Sequence, residues 1–228
     1  MRTERKNNET REIKFTRNYT KHAMGSVLAE FGDTKVIVTA SVENSKPKWM
    51  ETESGWITAE YSLLPSSTST RCQRERTKIS GRTQEIQRLI GRSLRASVDL
   101  YKMPDLTITI DADVIQADGG TRTASICGGF IALSDAIEKL LNQGILKENP
   151  IIEPIGAISA GIIDNEVRLD LDYSEDSSAQ VDSNIVLTKS GKIVEFQTTA
   201  EGEAYEYNQM LEIFNVAKKG IDEIIAKY

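Results

Sequence analysis

The chain has 228 residues, with 28 Lys and Arg against 34 Asp and Glu, a formal net charge of -6 and 39% hydrophobic residues. That is enough apolar material for a core and too much for wholesale disorder. A single histidine, His22, excludes a His-rich metal centre and confines any Ser-His-Asp triad to that residue. Two cysteines, Cys72 and Cys127, without a CxxC partner signal neither structural zinc nor a disulfide scaffold, and fit a reducing cytoplasm. The charged N-terminus leads into no apolar run of the signal-peptide kind, and no stretch reaches the roughly 18–20 apolar residues of a membrane span. The expectation is a soluble cytoplasmic protein. No linker or low-complexity segment divides it, so one domain over 1–228 is expected.

Residues 12–18 alternate in polarity and predict a strand; two more, near 25–31 and 34–43, flank Gly32-Asp33 as a hairpin. Residues 55–63 predict another, with Ile57, Ala59 and Tyr61 on one face. Over 83–99 the period becomes helical: Ile86, Leu89, Ile90, Leu94 and Val98 share a face, and Arg88, Arg92 and Arg95 line another. Alternation returns at 106–115, followed by Asp118-Gly119-Gly120-Thr121-Arg122 and a helix from about 121 to 141. Strands at 152–163 and 166–172 flank Asp164-Asn165, an acidic polar loop covers 173–183, and a hairpin spans roughly 184–197. An amphipathic helix carrying Met210, Leu211, Phe214, Ala217, Ile221, Ile224 and Ile225 closes the chain. Hairpins mixed with strand–helix–strand units predict an α+β fold with a mixed sheet.

Charge is unevenly distributed. Between Ser66 and Arg95 eight cations face two acids, so this island carries +6 and the remaining residues −12. Such an island points to a localised anionic partner. Between Asp164 and Asp182 seven acids face only Arg168. An anion-seeking patch beside a carboxylate cluster is the pairing that phosphoryl chemistry with a divalent metal requires. A Gly-Gly turn ahead of a helix lets a phosphate approach unsatisfied backbone N–H groups, with Thr121 as a candidate cap and Arg122 as a guanidinium fork. Glu85 is placed to pair with Arg88 three residues on. Arg71, Arg74 and Arg76 occupy a Ser/Thr-rich loop suited to a nucleic-acid backbone. Glu175-Asp176 and Asp182, beyond Asp170 and Asp172, are candidates for holding Mg²⁺ or Mn²⁺. Asp111 and Asp113 form a smaller carboxylate pair, His22 is expected to be structural, and Cys127 lies on an apolar helix face.

Taken together, these segments resemble the RNase PH family of phosphorolytic 3′→5′ exoribonucleases, in its bacterial form. The resemblance rests on NYTKHAMGSVLAEFGDTKVIVTASVE (18–43), GWITAEYSLLP (55–65), GRTQEIQRLIGRSLRASVDL (81–100), DADVIQADGGTRTASI (111–126), LDLDYSEDSSAQVDSN (169–184) and TAEGE (199–203). It implies an RNase PH-type α+β fold, a homo-hexameric ring built as a trimer of dimers, inorganic phosphate as co-substrate, and tRNA precursors as substrate. Residue by residue, it implies phosphate binding by Arg82, Gly120, Thr121 and Arg122, a catalytic pair holding Mg²⁺ or Mn²⁺ at Asp176 and Asp182, and RNA binding by Arg71 and Arg74.

The chain departs from the family pattern at Ser66, where an arginine is usual, and at Met24, where an acid is usual. It also lacks the usual Pro and Gly near the start and has a shorter segment between Arg71 and Gly81. Two rival readings are a non-catalytic ring subunit that threads RNA, as in exosome-like assemblies, and a metal-dependent hydrolytic nuclease. The paired arginine sites weigh against the second, because a water nucleophile needs no anion cradle.

Overall fold

The computed structural model describes residue 2 and residues 5–228. Five strands form the first sheet: β1 (Ile13–Arg17), β2 (Gly25–Phe31), β3 (Thr34–Glu43), β4 (Trp56–Leu63) and β5 (Thr107–Gln116), in the order β1-β2-β3-β5-β4. All pairings are antiparallel except β4–β5, whose parallel crossover runs through helix α1 (Gly81–Arg95). After α2 (Thr121–Asn142) come β6 (Ile155–Ile163), β7 (Glu166–Leu169), the one-turn α3 (Tyr173–Asp176), β8 (Val181–Thr188) and β9 (Ile193–Ala200), then α4 (Tyr207–Ile225). These four strands form an antiparallel sheet in the order β7-β6-β8-β9. The mixed α+β class follows as expected.

Helix α2 organises the interior. It packs on β2, β3 and β5 of the first sheet and on β6 of the second. Every residue from Thr123 to Leu133 is buried, so this helix has no solvent face in that stretch. Gly128 makes the approach to the first sheet possible: a Cβ there would lie 2.8 Å from Val38 Cγ2 and 3.1 Å from Ala29 Cβ. One apolar cluster, running from Val38 and Ile110 through Ile126 to Ile158 and Ile185, spans both sheets. Helix α1 covers β4 through Ile86, Leu89, Ile90 and Leu94, and α4 covers the second sheet.

Several boundaries differ from the sequence expectation. Helix α1 ends at Arg95, and Val98 is buried instead through a lone bridge to Ile151. β6 starts at Ile155 rather than 152, and β7 stops at Leu169 because Asp170 adopts φ 53, which breaks extended pairing. The segment read as a loop over 173–183 holds α3 and the start of β8. Asp172 accepts from the Glu175 N–H while Glu175 returns the bond to the Asp172 N–H, a reciprocal capping box. In α4 the deepest apolar contact near the start is Ile213, while Leu211 stays 39% exposed.

The Asp118-Gly119-Gly120 turn between β5 and α2 is braced from two sides. Thr34 Oγ1, fully buried, accepts from the Asp118 N–H at 2.9 Å and donates to the Gly119 carbonyl at 2.6 Å. Arg11 donates to the Asp118 carbonyl and holds Asp170 in a fork at 2.8 and 3.1 Å. Gly119 sits at φ +71, and a Cβ would meet the Leu171 carbonyl oxygen at 2.5 Å and the Tyr173 nitrogen at 2.9 Å, both backbone. Gly119→Ala is therefore expected to lose at least about 2 kcal/mol of stability. Gly202→Ala, where a Cβ meets nothing within 4 Å, should stay within about 0.5 kcal/mol of wild type in urea denaturation.

Candidate active site

The turn delivers the N-terminus of α2 to a shallow surface shared by both sheets. Gly120 is the N-cap residue, at φ +65, and no side chain caps the helix, so the expected Thr121 cap is absent. The Thr121 hydroxyl instead lies 2.9 Å from the Tyr61 hydroxyl. A helix start left uncapped presents N–H groups and the positive end of the helix dipole. Arg122, the next residue, reaches Glu85 Oε1 and Gln197 Oε1, each at 3.4 Å, with a side chain only 15% exposed. Glu85 thus pairs with Arg122 across two helices, not with Arg88. Arg82 lies in the first turn of α1, one residue inside the helix, and is exposed.

Asp176, at the end of α3, and Asp182, on β8, complete the surface. Burial pushes Asp176 above its usual range against the pull of Arg122, Arg82 and Arg11, whose charges reach this carboxylate. Burial and the neighbouring Asp176 push Asp182 up to about 6, opposed by Arg122 and reinforced by Glu201. The four predicted side chains Arg82, Arg122, Asp176 and Asp182 therefore converge, with Gly120 and Thr121 at the same helix terminus. One oxygen of Asp182, Oδ2, accepts weakly from Asn184 Nδ2 at 3.4 Å. The other, Oδ1, is buried without a hydrogen-bond partner among the described residues.

Other predicted residues sort differently. Glu175 is buried, and although burial raises it, the hydrogen bond and charge of Arg2 hold it below the usual range. Arg2 grips it at 2.6 and 2.7 Å and Arg168 at 3.3 Å, so Glu175 is structural. Asp170 belongs to Arg11 and Asp172 to the α3 cap. On α1, Arg92 pairs with Glu195 at 3.1 Å, and Arg95 bonds the Ile57 carbonyl while stacking 4.3 Å over Trp56. Arg88 and Arg95 of that stripe carry no ion pair among the described residues. Arg71, Arg74 and Arg76 are exposed in the loop leading to α1, remote in chain position from the turn. In that loop Glu75 accepts from the Ser80 N–H and the Thr83 hydroxyl, steadying the start of the helix. Asp111 and Asp113 lie on the outer face of the first sheet, where Ser62 donates to Asp113 at 2.6 Å. His22 is exposed and Cys127 buried.

Tyr61, Asn184 and Gln197 were not anticipated as site residues. Strand alternation does place Asn184 and Asp182 on one face of β8, opposite Gln197 and Thr199 of β9. Among the described residues no group of three or more His, Cys, Asp or Glu side chains is arranged to hold a metal. Two carboxylates still suit Mg²⁺, which keeps several waters and needs few protein ligands. The partnerless Asp182 Oδ1 is the donor atom such an ion would use.

The raised Asp182 has a measurable consequence. Stability held by its protonated form is fully present below about 3.8 and lost as pH rises through about 6. In chelator-treated buffer near pH ~7.5, Asp182→Asn should gain about 1–3 kcal/mol, and the gain should vanish near pH ~4. Thermal unfolding at both pH values checks this; an unchanged or lower stability at the higher pH would show the wild-type carboxylate to be satisfied without metal.

Comparison with known proteins bears on this arrangement. The chain superposes over 98% of its length on a protein of the Archaeoglobus fulgidus exosome with RNA bound to the active site, covering 90% of that chain (TM-score 0.84, 21% identity). It matches rice (Oryza sativa) Rrp46 with a TM-score of 0.77 and 21% identity, covering 98% of this chain and 97% of that one. An archaeal exosome core chain gives 0.79 and 21%, covering 98% and 88%. These likenesses establish the fold. In sequence, residues 9–137 match domain 1 and residues 153–220 match domain 2 of the 3′ exoribonuclease family known as RNase PH. With these two matches running through both sheets and the turn between them, the chain belongs to the RNase PH 3′ exoribonuclease family.

Proposed function

We propose that the chain is a phosphate-dependent 3′→5′ exoribonuclease that trims the 3′ ends of tRNA precursors, in the direction RNA(n+1) + phosphate ⇌ RNA(n) + nucleoside 5′-diphosphate. The observation that carries this reading is the convergence of Arg82, Arg122 and the uncapped α2 terminus on the Asp176–Asp182 pair. An anion rich in acceptor oxygens, such as inorganic phosphate, suits two guanidinium groups and open N–H groups. Catalysis then consists of holding phosphate in line with the terminal linkage and countering charge there, which needs no histidine.

Arg82, Thr121, Arg122 and the Gly120 backbone bind and orient phosphate. Asp176 and Asp182 would hold Mg²⁺ or Mn²⁺, which supplies positive charge to the phosphoryl oxygens when bound. Asn184 holds one oxygen of Asp182, and the other, without a hydrogen-bond partner among the described residues, would be available to the ion. Because the arginines come from the half of the chain matching domain 1 and the aspartates from the half matching domain 2, the chain works as one unit over 1–228. Arg71 and Arg74 grip the tRNA body, and the working form is a homo-hexameric trimer of dimers in the cytoplasm. The free cysteines fit that compartment, and no described helix is long and apolar enough to cross a membrane.

Digestion of a 3′-extended tRNA with and without phosphate tests the reading directly, with nucleoside diphosphate as the expected product. Monophosphate release independent of phosphate would favour hydrolysis, and RNA binding without any release would favour a threading ring subunit. Arg82→Ala and Arg122→Ala should each raise the phosphate requirement steeply, a loss of about 2–4 kcal/mol in transition-state stabilisation. Joint substitution of Arg71 and Arg74 by Ala should weaken tRNA and flatten its salt dependence by about 0.9 in log–log slope per lost duplex contact. A short oligonucleotide reaching only the active site should be cut nearly as before. Equal losses on both substrates would assign the loop to folding or assembly.

A further inference from the structure

Tyr61 lies on the inner face of β4, 6% exposed, in a row otherwise given to apolar packing with Ile57 and Ala59. Its hydroxyl has one partner among the described residues, the Thr121 hydroxyl at 2.9 Å, and Thr121 Oγ1 likewise has only Tyr61. Each group owns a single proton. Were Thr121 to donate to Tyr61, the phenolic proton would be left in a nearly dry site without an acceptor, which is costly. The favoured arrangement has Tyr61 donating to Thr121, which turns the threonine proton away from Tyr61 and toward the open end of α2. Burial raises the phenol above its usual range against the Thr121 bond and the pull of Arg82 and Arg122, so it keeps its proton at neutral pH and stands close to both phosphate arginines.

We propose that Tyr61 is a positioning residue for the anion site: its hydroxyl sets the Thr121 rotor so that the threonine proton is delivered to a bound inorganic phosphate. Without it, a first-turn threonine is free to rotate and spend its proton on solvent or a nearby carbonyl. The inference rests on the phosphorolytic reading above and adds a specific role for a side chain that strand alternation assigns only to the core.

The test compares Tyr61→Phe, Thr121→Val, Thr121→Ser and the Tyr61→Phe/Thr121→Val double variant by calorimetric titration with inorganic phosphate and by phosphorolysis of a short oligonucleotide. Tyr61→Phe is expected to raise the phosphate Kd and KM about tenfold, with a smaller change in kcat. Thr121→Ser, which keeps the hydroxyl, should bind phosphate more tightly than Thr121→Val. The double variant should be no weaker than Thr121→Val alone, because Tyr61 acts through that hydroxyl. If the two losses add, or if Tyr61→Phe binds phosphate as wild type does, the proposal is overturned while phosphorolysis stands. Failure of the wild type itself to bind phosphate overturns both readings, and that result is distinguishable because it appears before any substitution. Circular dichroism and thermal unfolding of each variant confirm that the readout is not lost folding.

Discussion

The contact on which the site depends is the ion pair between Arg11 and Asp170, residues 159 apart in the chain. Asp170 is fully buried, accepting from the Arg11 backbone at 2.7 Å as well as from its guanidinium. Desolvating both charges is expensive, and a pair of this kind is sustained only by good geometry and by satisfaction of its remaining donors. Those donors go to the Asp118 and Gly119 carbonyls, which fixes the turn from which α2 starts. A single guanidinium thereby joins the segment before β1, the turn after β5 and the end of β7. Arg2, Arg5, Arg168 and Glu175 extend the network to α3, so the same interior ionic layer sets the position of Asp176.

Above that layer, the site balances two kinds of charge with little water to share. Burial raises both Asp176 and Asp182, the charge of Asp176 raises Asp182 further, and Arg122 pulls both down. Arg122 in turn is shared between Glu85 and Gln197 at long distances, contacts that a tighter anion can displace. The surface is thus electrostatically unsettled on both sides. An anion relieves the arginines and a cation relieves the carboxylates, and each makes room for the other's charge.

Much of this was legible in one dimension. Strand alternation identified the inner faces of β4 and β5, and helical period identified the buried face of α1, because both patterns are imposed by which side meets the core. The resemblance to the family's motifs singles out Arg82, Arg122, Asp176 and Asp182. What it did not find were partnerships across long separations: Arg11 with Asp170 is 159 residues apart and Glu85 with Arg122 is 37. The α1 stripe split for the same reason, since Arg92 and Arg95 answer to β9 and β4 rather than to their own helix. α3 is a different case. Asp172-Tyr173-Ser174-Glu175 carries a capping-box pattern, and the acidity of the segment hid it.

The packing of α2 has one further bearing. Arg82, Arg122 and the α2 terminus ride on the first sheet and its helices, and Asp176 and Asp182 go with the second, so α2 acts as the shim between two jaws. Its thickness is set at Gly128, where the first sheet leaves no room for even a methyl group. On the phosphorolytic reading, a core change there alters the gap across which phosphate and the scissile linkage would meet, and a misplacement on the order of 1 Å far from the chemistry is enough to cost about a hundredfold in rate. The spacing between the two sets of charges is therefore gauged in the hydrocarbon interior, some way from any charged atom.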